Sequence, residues 1–490
     1  MQPSIGGILI CAAILAFACW PTRSLFVGLA ASTVFGATAL MTLSSLGGSS
    51  PLIYTLFAAL LLAILPFRRG IRGDIGILFR YSHTAWLVCA LLIYAVIGAI
   101  LFPRLFAGQT SVFVASHTRG GVYEVPLAPV SGNISQTGYF VLGGLLFLAL
   151  SASFLRGNAL EQVRRGFFLW CALHTGFGLL DLLSKLAGAG DILAFLRTAS
   201  YAMLTDTTQA GFARITGAQS EASAFAGMSL SALAFAFTYW KRTASRFALA
   251  LTLTLLVLLV LSTSSTAYIG LAFLCIPVVF SICRSLSMRR LHGQEIFLLA
   301  LGFVGLFVAL GLAIHDDKFF DPMMRLMNEA IFEKSGSDSG QERGYWNYIS
   351  LKSFADTLGL GLGIGSSRAS SWPVAVLSQL GAVGSIMLTL LVVELARRPR
   401  HLDMALGVKD AATVDGVRAG ALAGIVSGSV ISGTADPGVV FFISLAVVTS
   451  SSIRISLQGP WPAEPTSSLS GIRFVGAGAR ATGRPALWTK

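Results

Sequence analysis

Thr84-Ala-Trp-Leu-Val-Cys-Ala-Leu-Leu-Ile-Tyr-Ala-Val-Ile-Gly-Ala-Ile-Leu-Phe102 holds no Asp, Glu, Lys or Arg, and arginines stand just outside it at 80 and 104. The hydrocarbon core of a bilayer takes about 20 apolar residues of helix, so this run is long enough to cross one. Working outward, similar runs recur near 4–20, 24–43, 51–66, 138–155, 166–187, 222–240, 247–262, 267–283, 296–314, 373–393, 416–434 and 437–453. The expected fold is an all-α polytopic membrane protein with about 12–13 transmembrane helices over residues 1–455. Composition agrees: of 490 residues, 54% are hydrophobic and 12% charged, with a mean hydropathy of +0.75. An ordinary globular domain carries about 25% charged residues, and a soluble fold could not cover its surface with so few. The 52 glycines also fit a helical bundle in lipid, where small residues let helices approach closely.

The net charge of +13 suggests nucleic acid until its distribution is read. There is no basic face or aromatic-interleaved stripe. Instead Arg68, Arg69, Arg72 and Arg80 follow the third run; Arg156, Arg164 and Arg165 follow the fifth; Lys241, Arg242 and Arg246 follow the seventh. Arg284, Arg289 and Arg290 follow the ninth, and Arg397, Arg398, Arg400 and Lys409 the eleventh. With alternating spans every cluster falls on one side, the cytoplasmic side by the positive-inside rule. The N-terminus is then expected outside, with no cleavable signal peptide, because no basic segment precedes the first apolar run. Residues 456–490, rich in Gly, Pro, Ser and Ala, read as a flexible basic cytoplasmic tail. The six cysteines lie in apolar runs or at their ends without metal-ligand spacing, so neither disulfides nor zinc are expected.

The other side carries three long segments, 103–137, 188–221 and 315–372. Long ordered loops tend to be functional, so any chemistry is expected there. The second leads into Arg214-Ile-Thr-Gly217-Ala-Gln-Ser-Glu221-Ala-Ser223-Ala-Phe-Ala226. Arg214 and Glu221 share a face if the helix reaches back that far; Gly217 permits a kink instead. The bland alternative is a snorkelling arginine and a helix-start glutamate. The third segment holds Glu342, Arg343, Trp346 and Tyr348, then Gly359-Leu-Gly361-Leu-Gly363-Ile-Gly365-Ser366-Ser367-Arg368-Ala-Ser370-Ser371-Trp372. Alternate glycines with free N–H groups can cradle phosphate, and Arg343 and Arg368 can fork onto it. Aromatic side chains stack on sugar rings, or simply anchor at the interface. In the first segment, Asn133 and Gln136 offer amides to sugar hydroxyls or to ordinary turns. His174 and Asp181, two turns apart, are either functional or a mutually satisfied pair.

These residues resemble the bacterial O-antigen and exopolysaccharide polymerases, a superfamily shared with the O-antigen ligases. Arg214–Ala226 is similar to the family's R-x-x-G-x-x-x-E-x-S-x-x-A signature. Gly359–Gly384, including Leu377-Ser-Gln-Leu-Gly381-Ala-Val-Gly384, is similar to its second, and Ser262–Thr266 to its Ser-rich turn. The resemblance covers about 205–390 by motif and the whole chain by topology. It departs at Ser370-Ser371, where ligases carry His-Asn, and at Ser265, where an Arg is frequent; both favour polymerase over ligase.

The resemblance implies a C-type glycosyltransferase fold in the inner membrane and an inverting, metal-independent transfer at its periplasmic face. The donor would be a glycan on undecaprenyl pyrophosphate, the acceptor a hydroxyl of a second lipid-linked repeat. Arg214, Arg343 and Arg368 would stabilise charge on the departing pyrophosphate, with Glu221 or Glu342 accepting the proton. Asn133, Gln136, Glu342, Trp346, Gly363, Gly365, Ser366 and Trp372 would contact substrate. No soluble cofactor is required, and a chain-length regulator is a further expected partner. The alternatives are a lipid-linked-oligosaccharide flippase, for which no repeat between the halves is evident, and a noncatalytic assembly component.

Overall fold

The computed structural model describes residues 2–20, 24–43, 48–115, 121–200, 203–205, 208–209, 212–315 and 338–458. The expected tail from 459 onward and residues 316–337 of the third long segment lie outside them. In lipid every backbone polar group must find its partner within the segment or bundle, which selects helices. Each of the thirteen apolar runs contains one, and 72% of the structure is helical.

In chain order the helices are α1 (Ile5–Ala18), α2 (Leu25–Ser32), α3 (Ile53–Ile64), α4 (Ile71–Tyr81), α5 (His83–Leu105), α6 (Ser131–Ser153), α7 (Ala159–Leu186) and α8 (Ala222–Thr243). Then come α9 (Arg246–Leu261), α10 (Ser265–Ser287), α11 (Gly293–His315), α12 (Asp338–Asp356), α13 (Trp372–Ala396), α14 (Leu402–Ala405), α15 (Val408–Ile431) and α16 (Val439–Leu457). Three small antiparallel pairs join them: β1 (Gln2–Pro3) with β2 (Met41–Thr42), β3 (Ser111–Ala115) with β4 (Val122–Pro126), and β5 (Thr208–Gln209) with β6 (Phe212–Ala213).

The protein is a polytopic membrane protein; against the expected 12–13 spans, three of the apolar runs hold shorter helices over their described residues, Ile5–Ala18, Arg246–Leu261 and Gly293–Phe307. Among the described residues eight helices are long and apolar enough to cross, or nine if the bent pair Ile53–Phe67 and Ile71–Tyr81 is one span. That pair turns by 106° at Gly70, whose φ is +81°. The run 24–43 fails as a continuous helix for a reason hydropathy does not register. The Ser32 and Thr33 hydroxyls donate back to the carbonyls of Leu29 and Ala30 at 2.7 Å, and the chain then turns so that Gly36 packs against the Gln219 amide.

α8 and α15 form the centre, brought together by small residues. A Cβ on Gly420 would stand 2.9 Å from the carbonyl oxygen of Ser231. α10 and α11 are peripheral, with Phe280, Phe303 and Phe307 exposed as lipid-facing helices require.

The basic clusters gather at one end. Arg164 pairs with Asp410 at 3.2 Å, Lys241 with Glu295 at 3.3 Å, and Arg242, Arg398 and Arg418 all pair with Asp415. The described parts of the long segments lie at the opposite end, where the β3–β4 hairpin and α12 form a cap. Ser353 Oγ donates to the Ser111 carbonyl at 2.9 Å, and Thr110 Oγ1 to Asp356 Oδ2 at 2.8 Å.

Candidate functional site

A cavity of about 330 Å³ opens at the capped end, between the N-terminal turns of α3 and α6, the hairpin, and the loops before α13 and α16. Gln136, Tyr139, Gly365, Ser367 and Arg368 are on its wall. Gln136 Oε1 and Ser367 Oγ are buried without a hydrogen-bond partner among the described residues, so the wall presents uncommitted polar atoms.

Arg368 projects into this cavity. Its backbone N–H donates to Phe113 O at 2.8 Å, and its guanidinium stands 5.9 Å from the centre of the Trp346 ring, at cation–π distance. Arg214, Glu221, Arg343 and Arg368 share one electrostatic neighbourhood. Burial lowers the guanidinium pKa of both Arg214 and Arg368; Glu221 opposes that shift, and Arg343 adds to it as a like charge. None of the three arginines forms a salt bridge among the described residues, and Arg214 Nε is buried without a partner. Three cations, Arg214 and Arg343 half-buried and Arg368 exposed to the cavity, thus face a single carboxylate. Such an excess is stabilised when an anion arrives.

The Arg214 loop is held by α7. Asp181 Oδ2 accepts the N–H groups of Thr216 and Gly217 at 2.6 and 3.0 Å, and Lys185 Nζ at 3.0 Å. Lys185 also donates to the Arg214 carbonyl at 2.6 Å. From the other side Arg197 donates to Thr216 Oγ1 at 3.0 Å and to the carbonyl of Gln219 at 3.2 Å. Gly217 has φ +52°, so α8 begins only at Ala222 and the kink replaces a shared helical face. Glu221 at its start accepts the Ser223 hydroxyl. His174 and Asp181 are not a mutual pair: His174 Nε2 bonds Ser229 Oγ at 2.7 Å.

The glycine run does not cradle phosphate. Leu362 and Gly363 donate their N–H groups to the carbonyls of Ser378 and Gln379, Ser366 donates to Gly363, and Gly365 to Gln379 Oε1. The glycines serve backbone contact. A Cβ on Gly363 would stand 2.6 Å from Gly98 O of α5, and one on Gly365 would stand 2.2 Å from Gly132 O of α6. Ser366 and Asn133 are committed to each other at 2.7 Å, and Asn133 also binds Ile364 O and the Val130 N–H. Trp372 is buried, its indole N–H donating to Ala435 O at 3.2 Å. Asn133, Gly363, Ser366 and Trp372, expected to contact substrate, fix the loop that carries Arg368.

Gly365 and Gln136 reach the cavity, Trp346 meets Arg368, and Glu342 lies exposed on α12. Gln379, given no role from sequence, organises the floor. Its fully buried amide donates to Ser367 O at 2.9 Å and Gly433 O at 3.3 Å, and accepts the N–H groups of Gly365 and Ala435. Its place within Leu377–Gly384 was the available signal. The Ser-rich turn leaves Thr263 Oγ1 and Ser264 Oγ buried and unbonded among the described residues, away from the cavity wall. Compared with known proteins, the chain matches no protein-family model, no curated protein and no solved structure.

Proposed function

We propose that this protein is a glycan polymerase: a glycosyltransferase that joins repeat units carried on undecaprenyl pyrophosphate at the periplasmic face of the bacterial inner membrane. The observation that carries the reading is the set of three arginines around one glutamate, without salt bridges among the described residues, beside a cavity with unbonded polar atoms. A pyrophosphate supplies the missing negative charge, and guanidinium groups fork onto its oxygens.

In this mechanism the donor pyrophosphate binds among Arg214, Arg343 and Arg368. The acceptor hydroxyl attacks the anomeric carbon from the opposite side, so configuration inverts. As the glycosidic C–O bond breaks, charge grows on the pyrophosphate and the fixed guanidiniums stabilise it. Glu221 holds the arginines in place. Gln136 and Ser367 hydrogen-bond sugar hydroxyls, and Trp346 packs over the guanidinium that faces them. The polymerase reading is preferred to a ligase because Ser370 and Ser371 serve the fold. The Ser370 N–H binds Asn347 Oδ1 and the Ser371 hydroxyl binds Ser429 O, both at 2.8 Å.

The test uses purified protein in liposomes with lipid-linked repeats extracted from the source cell. Wild type should produce a ladder of lengthening glycans. Arg343→Ala and Arg214→Ala should each lose about 10²-fold or more in rate, the scale of removing one group that stabilises transition-state charge. A well-folded wild type that makes no ladder but moves labelled lipid across the bilayer would overturn the transferase in favour of a flippase.

A further inference from the structure

Asp436 lies in the loop between α15 and α16, and the arginine mechanism gives it no role. Its loop is pinned on both sides. Gln379 holds Gly433 O and the Ala435 N–H at 3.3 and 3.4 Å, and Trp372 holds Ala435 O at 3.2 Å. Gly433 packs against Arg368 so tightly that a Cβ there would stand 2.9 Å from Arg368 Cγ. One carboxylate oxygen of Asp436 accepts the Gly438 N–H at 2.8 Å; the other has no hydrogen bond among the described residues. Asp436 lines a small cavity of about 10 Å³ with Tyr54 and Tyr139, and those same tyrosines are on the wall of the main cavity. The small cavity has the room of about one water.

We propose that Asp436 is the general base that takes the proton from the acceptor hydroxyl, through one water held beside Tyr139. The inference rests on the transferase reading and deepens it. The acceptor oxygen forms its bond to the anomeric carbon, the bond to the pyrophosphate oxygen breaks with its electron pair, and the hydroxyl proton passes through the water to the Asp436 carboxylate. Charge balances: the leaving group departs as an anion among the arginines, and the proton ends on Asp436.

The division of labour follows from surroundings. Glu221 sits in the field of Arg214 and Arg368 and is suited to holding them. Asp436 forms no salt bridge among the described residues; the titratable groups facing it are Tyr54 of α3 and Tyr139 of α6, and Tyr139 is bonded to Ser49 at 2.8 Å. Burial pushes its carboxyl up to about 6, against the opposing Gly438 hydrogen bond. A base poised near the working pH takes a proton most effectively.

The experiment compares wild type, Asp436→Asn and Arg343→Ala in the liposome assay from pH 5 to 8.5, with binding of inorganic pyrophosphate read separately by thermal shift. Asp436→Asn should lose about 10²-fold or more in elongation rate and lose the acid limb near pH 6, while pyrophosphate still raises its melting temperature as in wild type. Asp436→Asn within tenfold of wild type, with the acid limb intact, would overturn the base assignment and leave the polymerase standing. No elongation by wild type and no pyrophosphate response would bring down the polymerase reading, and the base with it.

Discussion

One oxygen of Asp181 takes three N–H donors and lies 3.3 Å from a hydroxyl, and through them fixes the backbone on which Arg214 stands. Hydrogen bonds to a buried charge contribute about 1.5–3 kcal/mol each. Asp181→Ala is therefore expected to lower the unfolding temperature and abolish the pyrophosphate-induced shift, with both readings taken on the same purified sample. Asp436 should behave in the opposite way. Its raised pKa favours the protonated fold, so its contribution to stability is fully present below the ordinary carboxyl range near 3.8 and is lost as pH rises through about 6. Wild type should melt at a lower temperature at pH 7.5 than at pH 5, and Asp436→Asn should remove that group's share of the difference. At this scale the sequence is legible where charge decides: Arg214, Glu221 and Arg368 stand in the motifs and Arg343 in the third long segment, and the four share one neighbourhood. It was not legible for amides. Asn133 and Gln136 look alike in sequence, but the partners that commit Asn133 are Ile364 and Ser366, brought to it only by folding.

Between elements, contact without side chains is the rule near the site. Gly361 meets the backbone of Gly381, Gly363 that of α5, and Gly365 that of α6. The same alternation of glycines permits approach to a phosphate or to another main chain, and nothing in the sequence chooses between them. Gly381 adds a break in α13, with φ +66° and ψ −173°, where a Cβ would stand 2.1 Å from Leu360 O. Gly365→Ala and Gly381→Ala are expected to prevent stable folding, seen as aggregation on size exclusion in detergent. Gly138→Ala on α6 meets nothing within 4 Å and should be neutral or stabilising by up to about 1 kcal/mol. Equal behaviour of all three would refute the close-packing account. α2 shows the matching failure of hydropathy: the run 24–43 carries no charged residue, yet back-bonded hydroxyls and Gly36 end its helix after eight residues.

Over the whole molecule, charge separates the two ends. Asp415, nearly buried on α15, joins Arg242 of α8, Arg398 beyond α13 and Arg418 of its own helix. Removing Asp415 leaves Arg418 without its carboxylate and Arg242 and Arg398 with Asp403 alone; because these arginines are partly exposed, the cost falls below the roughly 3–5 kcal/mol of breaking a fully buried pair. Asp415→Ala should accordingly lose much of the folded yield, whereas Glu394→Ala, at an exposed pair, should lose almost none. The orientation is tested with cysteines placed at Tyr348, exposed on the cap, and at Arg400, exposed at the basic end. An impermeant maleimide added to intact spheroplasts should label the first and spare the second; the reverse pattern would invert the topology. The gathering of the basic clusters at one end was readable from their spacing, whereas the number of spans was not, because length and apolarity do not reveal where a helix stops or bends.

The glycine junction also separates what can change from what cannot. A ring of backbone contacts offers no side chain to trim or enlarge, and inserting one residue into Gly359–Gly365 would press a leucine or isoleucine against a carbonyl. The arginine-bearing floor is therefore a fixed part. The hairpin meets the same cavity through the ordinary side chains of Phe113 and Val114, and α12 packs Tyr345 and Trp346 behind Phe113. Altered sugar preference, in a laboratory library or a natural lineage, should arise by exchanging that cap while the floor is inherited whole.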